Sequence, residues 1–194
     1  MKCTNCILYL VALIATLAVV SWQTAKVLFL PRTTGSINLK TARGQADIFR
    51  DEQGIVSIYS ESLAMTVYAQ GFVHAQDRLW QMEKQRRLCT GRLAELFGEE
   101  VVEMDITFRH MGFKHLSSQI MKTISKEEKD ILEAYADGVN AFVSKVGLLT
   151  EDNSAHLLPP EFYAFNIEWQ PWTPEDSISS LKLLNFHLSW DWGN

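Results

Sequence analysis

The chain has 194 residues, 47% of them hydrophobic and 21% charged, and a formal net charge of −5. That balance describes a globular domain of about 150 residues behind a terminal segment, and it excludes wholesale disorder. With 23 acidic against 18 basic side chains there is no positive surplus to neutralise phosphates, which argues against a nucleic-acid binder.

Residues 3–25 carry no charge, and as a helix they would extend about 35 Å, enough to cross a bilayer core. Lys2 precedes the run; Lys26 and Arg32 follow it. A cleaved signal peptide would use Val19-x-Ser21 as its small-residue site, whereas the length favours an uncleaved single-pass anchor. Both routes export the remainder, so the expected location is the membrane or the extracytoplasmic space. Cys3 and Cys6 read as juxtamembrane cysteines, lipidated or idle, because a lone Cys-x-x-Cys lacks the second pair of a zinc site.

Residues 1–32 thus form a signal anchor or signal peptide with its flank, and 33–45 read as a linker rich in Thr, Gly and Ser. The β-prone runs 46–50 and 55–59, joined by Asp-Glu-Gln-Gly, predict a hairpin. Ser60 or Ser62 can cap the helix that follows. Within residues 68–92, Phe72, Val73, Gln76, Leu79, Trp80 and Glu83 share one helical face, and Gly91 suits a left-handed cap. Gly71 allows close packing, and His74, Gln76, Asp77, Arg78 and Gln81 predict a hydrogen-bonded seam. Lys84, Arg86 and Arg87 would lower the pKa of Cys89, but a buried inert thiol is the expectation.

Residues 98–112 read as a connector of mixed signals. Ser125 and Glu128 form a capping box, followed by a helical stripe of Ile131, Leu132, Tyr135, Ala136, Val139, Phe142 and Val143, with Gly147 as its stop. Asn140 beside that stripe is expected to bond neighbouring backbone. Residues 157–162 are expected to be extended, since Pro159 and Pro160 disfavour helical predecessors. Thr173, Pro174 and Asp176 open another helix, continued by Ile178, Leu181, Leu184, Asn185 and Leu188. His74, His110, His115 and His156 read as structural or surface histidines, with no metal site among them. No nucleophile elbow, zinc-protease motif or phosphate-cradling loop occurs, so these residues hold no complete catalytic set.

Gly71-Phe-Val-His-Ala-Gln-Asp-Arg-Leu-Trp-Gln-Met-Glu83, followed by Gly91-Arg-Leu-Ala-Glu-Leu-Phe-Gly98, resembles the N-terminal signature of the penicillin acylase (penicillin amidase) family. Three further pieces are similar to that family in the same order. They are the strand, Arg-Asp-Glu-x-Gly, strand arrangement, the run Ala134-Tyr-Ala-Asp-Gly-Val-Asn-Ala141, and the Trp172-x-Pro-x-Asp176 helix entry. The resemblance covers the chain from about Ala46 onward.

The resemblance implies an N-terminal-nucleophile hydrolase that cuts linear amides such as N-acyl small molecules and β-lactam side chains. The expected fold class is α+β, a mostly helical N-terminal part with a β-hairpin, belonging to a four-layer αββα N-terminal-nucleophile hydrolase fold. Residues 46–194 would be the smaller-subunit region, incomplete at its C-terminus. The nucleophile, its α-amine base and the oxyanion hole would lie on a larger downstream chain of the same precursor. A gapless count from Trp172 carries the family's acyl-pocket wall onto Asn185, Leu188 and Ser189. A methionine, an arginine and a phenylalanine are usual there; none is present, which departs from an aromatic acyl preference. Leu188 as plain core and Asn185 as a buried amide is the competing structural reading. Calcium belongs to the complete family fold, with its ligands expected outside this chain. A different class of reading is a non-catalytic, membrane-anchored helical fragment that only binds a partner.

Overall fold

Two glycines set how the helices of this protein cross. The computed structural model describes residues 2–29, 35–145 and 157–190. Helix α2, Leu63–Thr90, and helix α6, Lys126–Lys145, make the most extensive helix contact among them. A Cβ placed on Gly71 of α2 would overlap the Tyr135 carbonyl and come within 3.2 Å of Val139 N. One placed on Gly138 of α6 would overlap the Tyr68 carbonyl and come within 3.0 Å of Phe72 N. Each glycine therefore lies against the carbonyl of a tyrosine three residues before the other, and only hydrogen fits. Around the crossing Ala69, Ala134, Ala136 and Val139 are buried, and the Phe72 and Phe142 rings meet edge to face at 5.5 Å.

The ends of these helices follow from local chemistry. Ser62 caps α2 by accepting from Met65 N at 3.2 Å, and Gly91 closes it at φ 63, ψ 50. At α6, Ser125 N donates to Glu128 at 2.7 Å and Glu128 N to Ser125 Oγ at 3.2 Å, the reciprocal capping box. Helix α2 departs from helical geometry at Arg78 (φ −139, ψ 19). Helix α1, Lys2–Phe29, carries the uncharged run, and residues 9–26 within it form an apolar window with none of its residues buried.

Three antiparallel strands lie in the order β1 (Gly35–Thr41), β2 (Gly44–Arg50) and β3 (Val56–Ser60). Leu39 pairs with Ala46, and Ile48 pairs with Ile37 and Ile58; Leu39, Ala46 and Ile48 enter the same core as Met65 and Ala69 of α2. The predicted hairpin is β2–β3, its turn held by Asp51, which accepts from Gln53 N and Ile55 N. The 33–45 stretch, read as a linker, instead holds β1. Its polar composition hides an alternation in which Ile37 and Leu39 face inward while Ser36 and Asn38 face out.

The 98–112 connector likewise resolves into structure, a 3₁₀ turn (Gly98–Val101) and α4 (Val102–Met111), set between α3 (Ala94–Phe97) and α5 (Phe113–Thr123). Asp105 organises it by accepting from Leu93 N and Ala94 N, both at 2.8 Å, at the start of α3. Pro160 does not sit in an extended run. It opens helix α7, Pro160–Ala164, because proline is favourable in the first helical turn, where its missing N–H would go unpaired anyway. Helix α8, Pro174–Trp190, closes the described chain and packs on α5. The expected stop at Gly147, His156 and the last four residues lie outside the described residues.

Gly138→Ala is expected to destabilise the protein by roughly 1–3 kcal/mol, as overpacking does, because the added methyl meets backbone that cannot rotate away. Urea denaturation of the intact protein measures it; an unchanged midpoint would show that the two helices are free to separate.

Candidate functional site

Helix α8 is placed by three sets of contacts. Its own start is a reciprocal cap: Thr173 N donates to Asp176 at 2.9 Å and Asp176 N to Thr173 Oγ1 at 3.3 Å. The residue before it, Trp172, is gripped by Asn140 of α6, which accepts from Trp172 N at 2.7 Å and donates to its carbonyl at 2.9 Å. Trp172 also donates its indole N–H to Ser177 at 2.9 Å. Asn140 thus bonds backbone, as its position beside the stripe predicts.

The third set is a buried charge centre on α2. Arg86 pairs with Glu83, donates to the Gln170 carbonyl at 2.8 Å and lies 3.6 Å from Asp176. Its guanidinium also sits between the Trp169 and Trp172 rings, 4.8 and 5.6 Å from their centroids. Arg87 pairs with the other oxygen of Glu83 at 2.7 Å and with Glu95 at 2.6 Å. With Asp176 and Glu95 beside the shared Glu83, neither arginine is left without an acidic partner, the condition under which such groups are tolerated inside a protein. The cations therefore do not activate Cys89. Burial pushes its thiol up to about 12, nearby Asp176 adds to the rise, and Sγ–H donates to the Ser179 carbonyl at 3.4 Å.

Held this way, α8 is apolar on two sides. Inward it presents Ile178, Ser179 and Leu183 to α2 and α5, where the Ser179 and Ser117 hydroxyls bond at 2.7 Å. Outward it presents Leu181, Leu184 and Leu188, which are 55%, 49% and 61% exposed at steps of three and four residues. Asn185 and Ser189 are exposed with them, and Ser189 donates to the Phe186 carbonyl at 2.9 Å. The three candidate residues therefore stand together on one exposed helix face, and Leu188 is not core within this chain. Hollows of about 430 and 390 Å³ open elsewhere, beside Leu63, Asp130 and Ile131 and beside Cys89, Phe108 and His115. Neither includes Asn185, Leu188 or Ser189.

The predicted polar seam is real but sorts its members. Asp77 accepts from Arg50 at 2.7 Å, and Gln76 accepts from the same nitrogen at 2.9 Å. Arg50, overlooked as a partner from sequence, is buried because it continues the inward set Ala46, Ile48, Arg50 along β2. That period of two was the available signal. His74 Nδ1 meets the Tyr135 hydroxyl at 2.9 Å. Burial lowers the His74 pKa, partly opposed by Asp77, and pushes the Tyr135 phenol up to about 12. Arg78 is exposed and has no partner among the described residues. Among those residues no group of three or more His, Cys, Asp or Glu side chains stands close enough to hold a metal ion.

The family model for penicillin amidase matches residues 45–194. The chain belongs to the penicillin amidase family. It is 36% identical over 163 residues to penicillin acylase 2 proenzyme of Pseudomonas sp. (strain SE83), a match covering 84% of this chain and 20% of that protein. It is 37% identical over 129 residues to penicillin G acylase of Escherichia coli, covering 66% of this chain and 15% of that one. It is 34% identical over 160 residues to the acyl-homoserine lactone acylase QuiP of Pseudomonas fluorescens (strain Pf0-1), covering 82% and 19%. Among solved structures, a chain of the thermostable penicillin G acylase from Alcaligenes faecalis superposes with a TM-score of 0.64 at 28% identity, covering 79% of this chain and 75% of that chain. The penicillin amidase region here thus spans a fifth or less of the length of these three relatives, yet three quarters of one solved acylase chain.

Removing the Asp77 carboxylate leaves Arg50 buried with Gln76 alone. Asp77→Ala is expected to cost roughly 1.5–3 kcal/mol, the range for hydrogen bonds to charged groups, measured by urea denaturation. A variant that keeps full stability but loses turnover would place Asp77 in the chemistry instead. Cys89 gives a pH test. Its folded pKa is raised from 9.0 to about 12, so the unfolded chain releases its proton first and stability falls as pH climbs between those values. Cys89→Ser should flatten that limb of the stability profile; an identical profile would show that the thiol is not shielded.

Proposed function

We propose that this chain is the N-terminal, smaller-subunit portion of an amide hydrolase acting on acylated small molecules. The carrying observation is α8: firmly seated on its inner side, it leaves an apolar stripe of Leu181, Leu184 and Leu188 uncovered. The chain also matches only a fifth or less of acylases that are themselves much longer. A larger chain of the same precursor is the partner that fits this stripe, completing the four-layer αββα fold.

In this reading the larger chain begins with a Ser, Thr or Cys whose side chain attacks the amide carbon while its own α-amine takes the proton. The tetrahedral oxyanion is held by donors on the larger chain. The intermediate collapses to an acyl-enzyme with release of the amine, and water then frees the acid. This chain contributes one wall of the acyl pocket through Asn185, Leu188 and Ser189. With no methionine, arginine or phenylalanine at these positions, the wall differs from that of phenylacetyl-type enzymes. Calcium, where the complete fold carries it, draws its ligands from outside this chain. The uncharged run of α1 holds the protein to the membrane or directs its export. No observation favours the alternative of a non-catalytic helical fragment.

The chain by itself is expected to hydrolyse none of the phenylacetyl, glutaryl or long-chain acyl amide reporters. Translated together with the coding sequence that follows it, it should yield a second, larger chain with a new N-terminal Ser, Thr or Cys by Edman sequencing, and activity. A stop codon directly after Asn194, or turnover by the lone chain that a point change within it abolishes, overturns the reading. In the active enzyme Leu188→Ala should shift the ratio of kcat/KM between long-chain and phenylacetyl amides by about tenfold or more, the scale of one apolar pocket contact. An equal loss on every substrate would make Leu188 an assembly contact only.

A further inference from the structure

We propose that the folded body carries its own membrane-facing patch, built from Tyr163, Phe165 and Phe97, which rests on an electrically neutral lipid surface beside the end of α1. This rests on α1 being a membrane anchor. The last residue of α1, Phe29, packs its ring edge to face against Tyr163 at 6.3 Å, so the patch begins where the apolar helix ends. From Tyr163 it continues to Phe165, which meets the Phe97 ring at 5.3 Å and stacks on Trp80 at 5.5 Å with 9° between the planes.

The backbone holds these rings outward. The single turn of α7 buries Phe162 against Trp80 and Trp169. Asn166 then adopts φ 49, and Ile167 N returns to the Phe162 carbonyl at 2.8 Å. With Phe162 and Ile167 both buried, the residues between them are forced to the surface. Tyr163 is 56%, Phe97 40% and Phe165 37% exposed. Tyrosine gathers at the level of lipid headgroups, where its apolar ring and polar hydroxyl are both accommodated, and phenylalanines beside it bury apolar area at the headgroup and acyl boundary. The charges in the adjoining segments are of both signs, Lys26 and Arg32 about Phe29, Glu99 and Glu100 after Phe97, and Glu161 and Glu168 around α7; with no basic surplus to attract anionic lipid, a zwitterionic surface is the fitting one.

The test uses the intact protein with Cys3→Ser and Cys6→Ser, so that only an introduced cysteine takes a fluorophore, Cys89 being buried. Tyr163→Cys, Phe97→Cys and a control, Lys126→Cys, are labelled separately and reconstituted in phosphatidylcholine bilayers with or without acyl-chain bromines. Quenching by bromolipid several-fold stronger at 163 and 97 than at 126 is the expected result. Equal quenching at all three positions, or labels at 163 and 97 shielded from both bromolipid and aqueous iodide, overturns the patch, the latter because protein covers it. Failure of the anchor is a separate readout: alkaline carbonate would release a soluble form starting near Trp22. Vesicles added to that form then decide the patch alone, with quenching at 163 supporting it and its absence overturning it.

Discussion

The close approach of α2 and α6 at Gly71 and Gly138 is the constraint on which the rest of the structure depends. Helix separation is set by the side chains at the contact, and here there are none. The backbones lie near enough for Phe72, Val139 and Phe142 to interlock beside the crossing, and for the His74 ring to reach the Tyr135 hydroxyl. Because α2 also carries the sheet on its first half and α8 beside its second half, its angle to α6 fixes where both go. The left-handed residue Gly91 then turns the chain toward α3. There Arg109 Nε donates to the Gly91 carbonyl, and a Cβ on Gly91 would lie 2.5 Å from the Asp105 carbonyl.

Charge performs the second task, positioning. Arg50, Glu83, Arg86 and Asp105 are all at most 7% exposed, and each is matched to an opposite charge or to backbone dipoles. Burying an ion this way gains little net stability, since desolvation opposes the attraction, but an arrangement that breaks one pair is costly. Such pairs select among packings. Arg86 is the clearest case, for it ties the C-terminal end of α2 to the carbonyls and tryptophans just before α8.

The consequence appears at α8. A surface helix normally has one apolar stripe; this one has two, with Ile178 and Leu183 covered and Leu181, Leu184 and Leu188 open. The open stripe is the surface that the larger chain proposed above would cover. That is consistent with this chain's membership of a family whose members are several times longer.

Much of this was legible in the sequence because it is local. The Ser125–Glu128 and Thr173–Asp176 boxes, the Gly91 cap, the apolar stripes of α2 and α6 and the uncharged run of α1 depend on residues within a turn or two of one another, and the structure shows each. The candidate positions Asn185, Leu188 and Ser189 were reached by resemblance, and the structure gathers them on one face without identifying their use. What only the tertiary structure decided is what depends on partners distant in the chain. Strand β1 hides in a polar stretch because its pairing with β2 is invisible to composition. Arg50 finds Asp77 across 27 residues, and Asn140 finds Trp172 across 32. Gly71 reads as a site of close packing, but only the meeting of the two helices shows that its counterpart is Gly138. Local capping energies act on a few adjacent residues and so are written in order along the sequence, whereas close packing joins residues that no spacing rule connects.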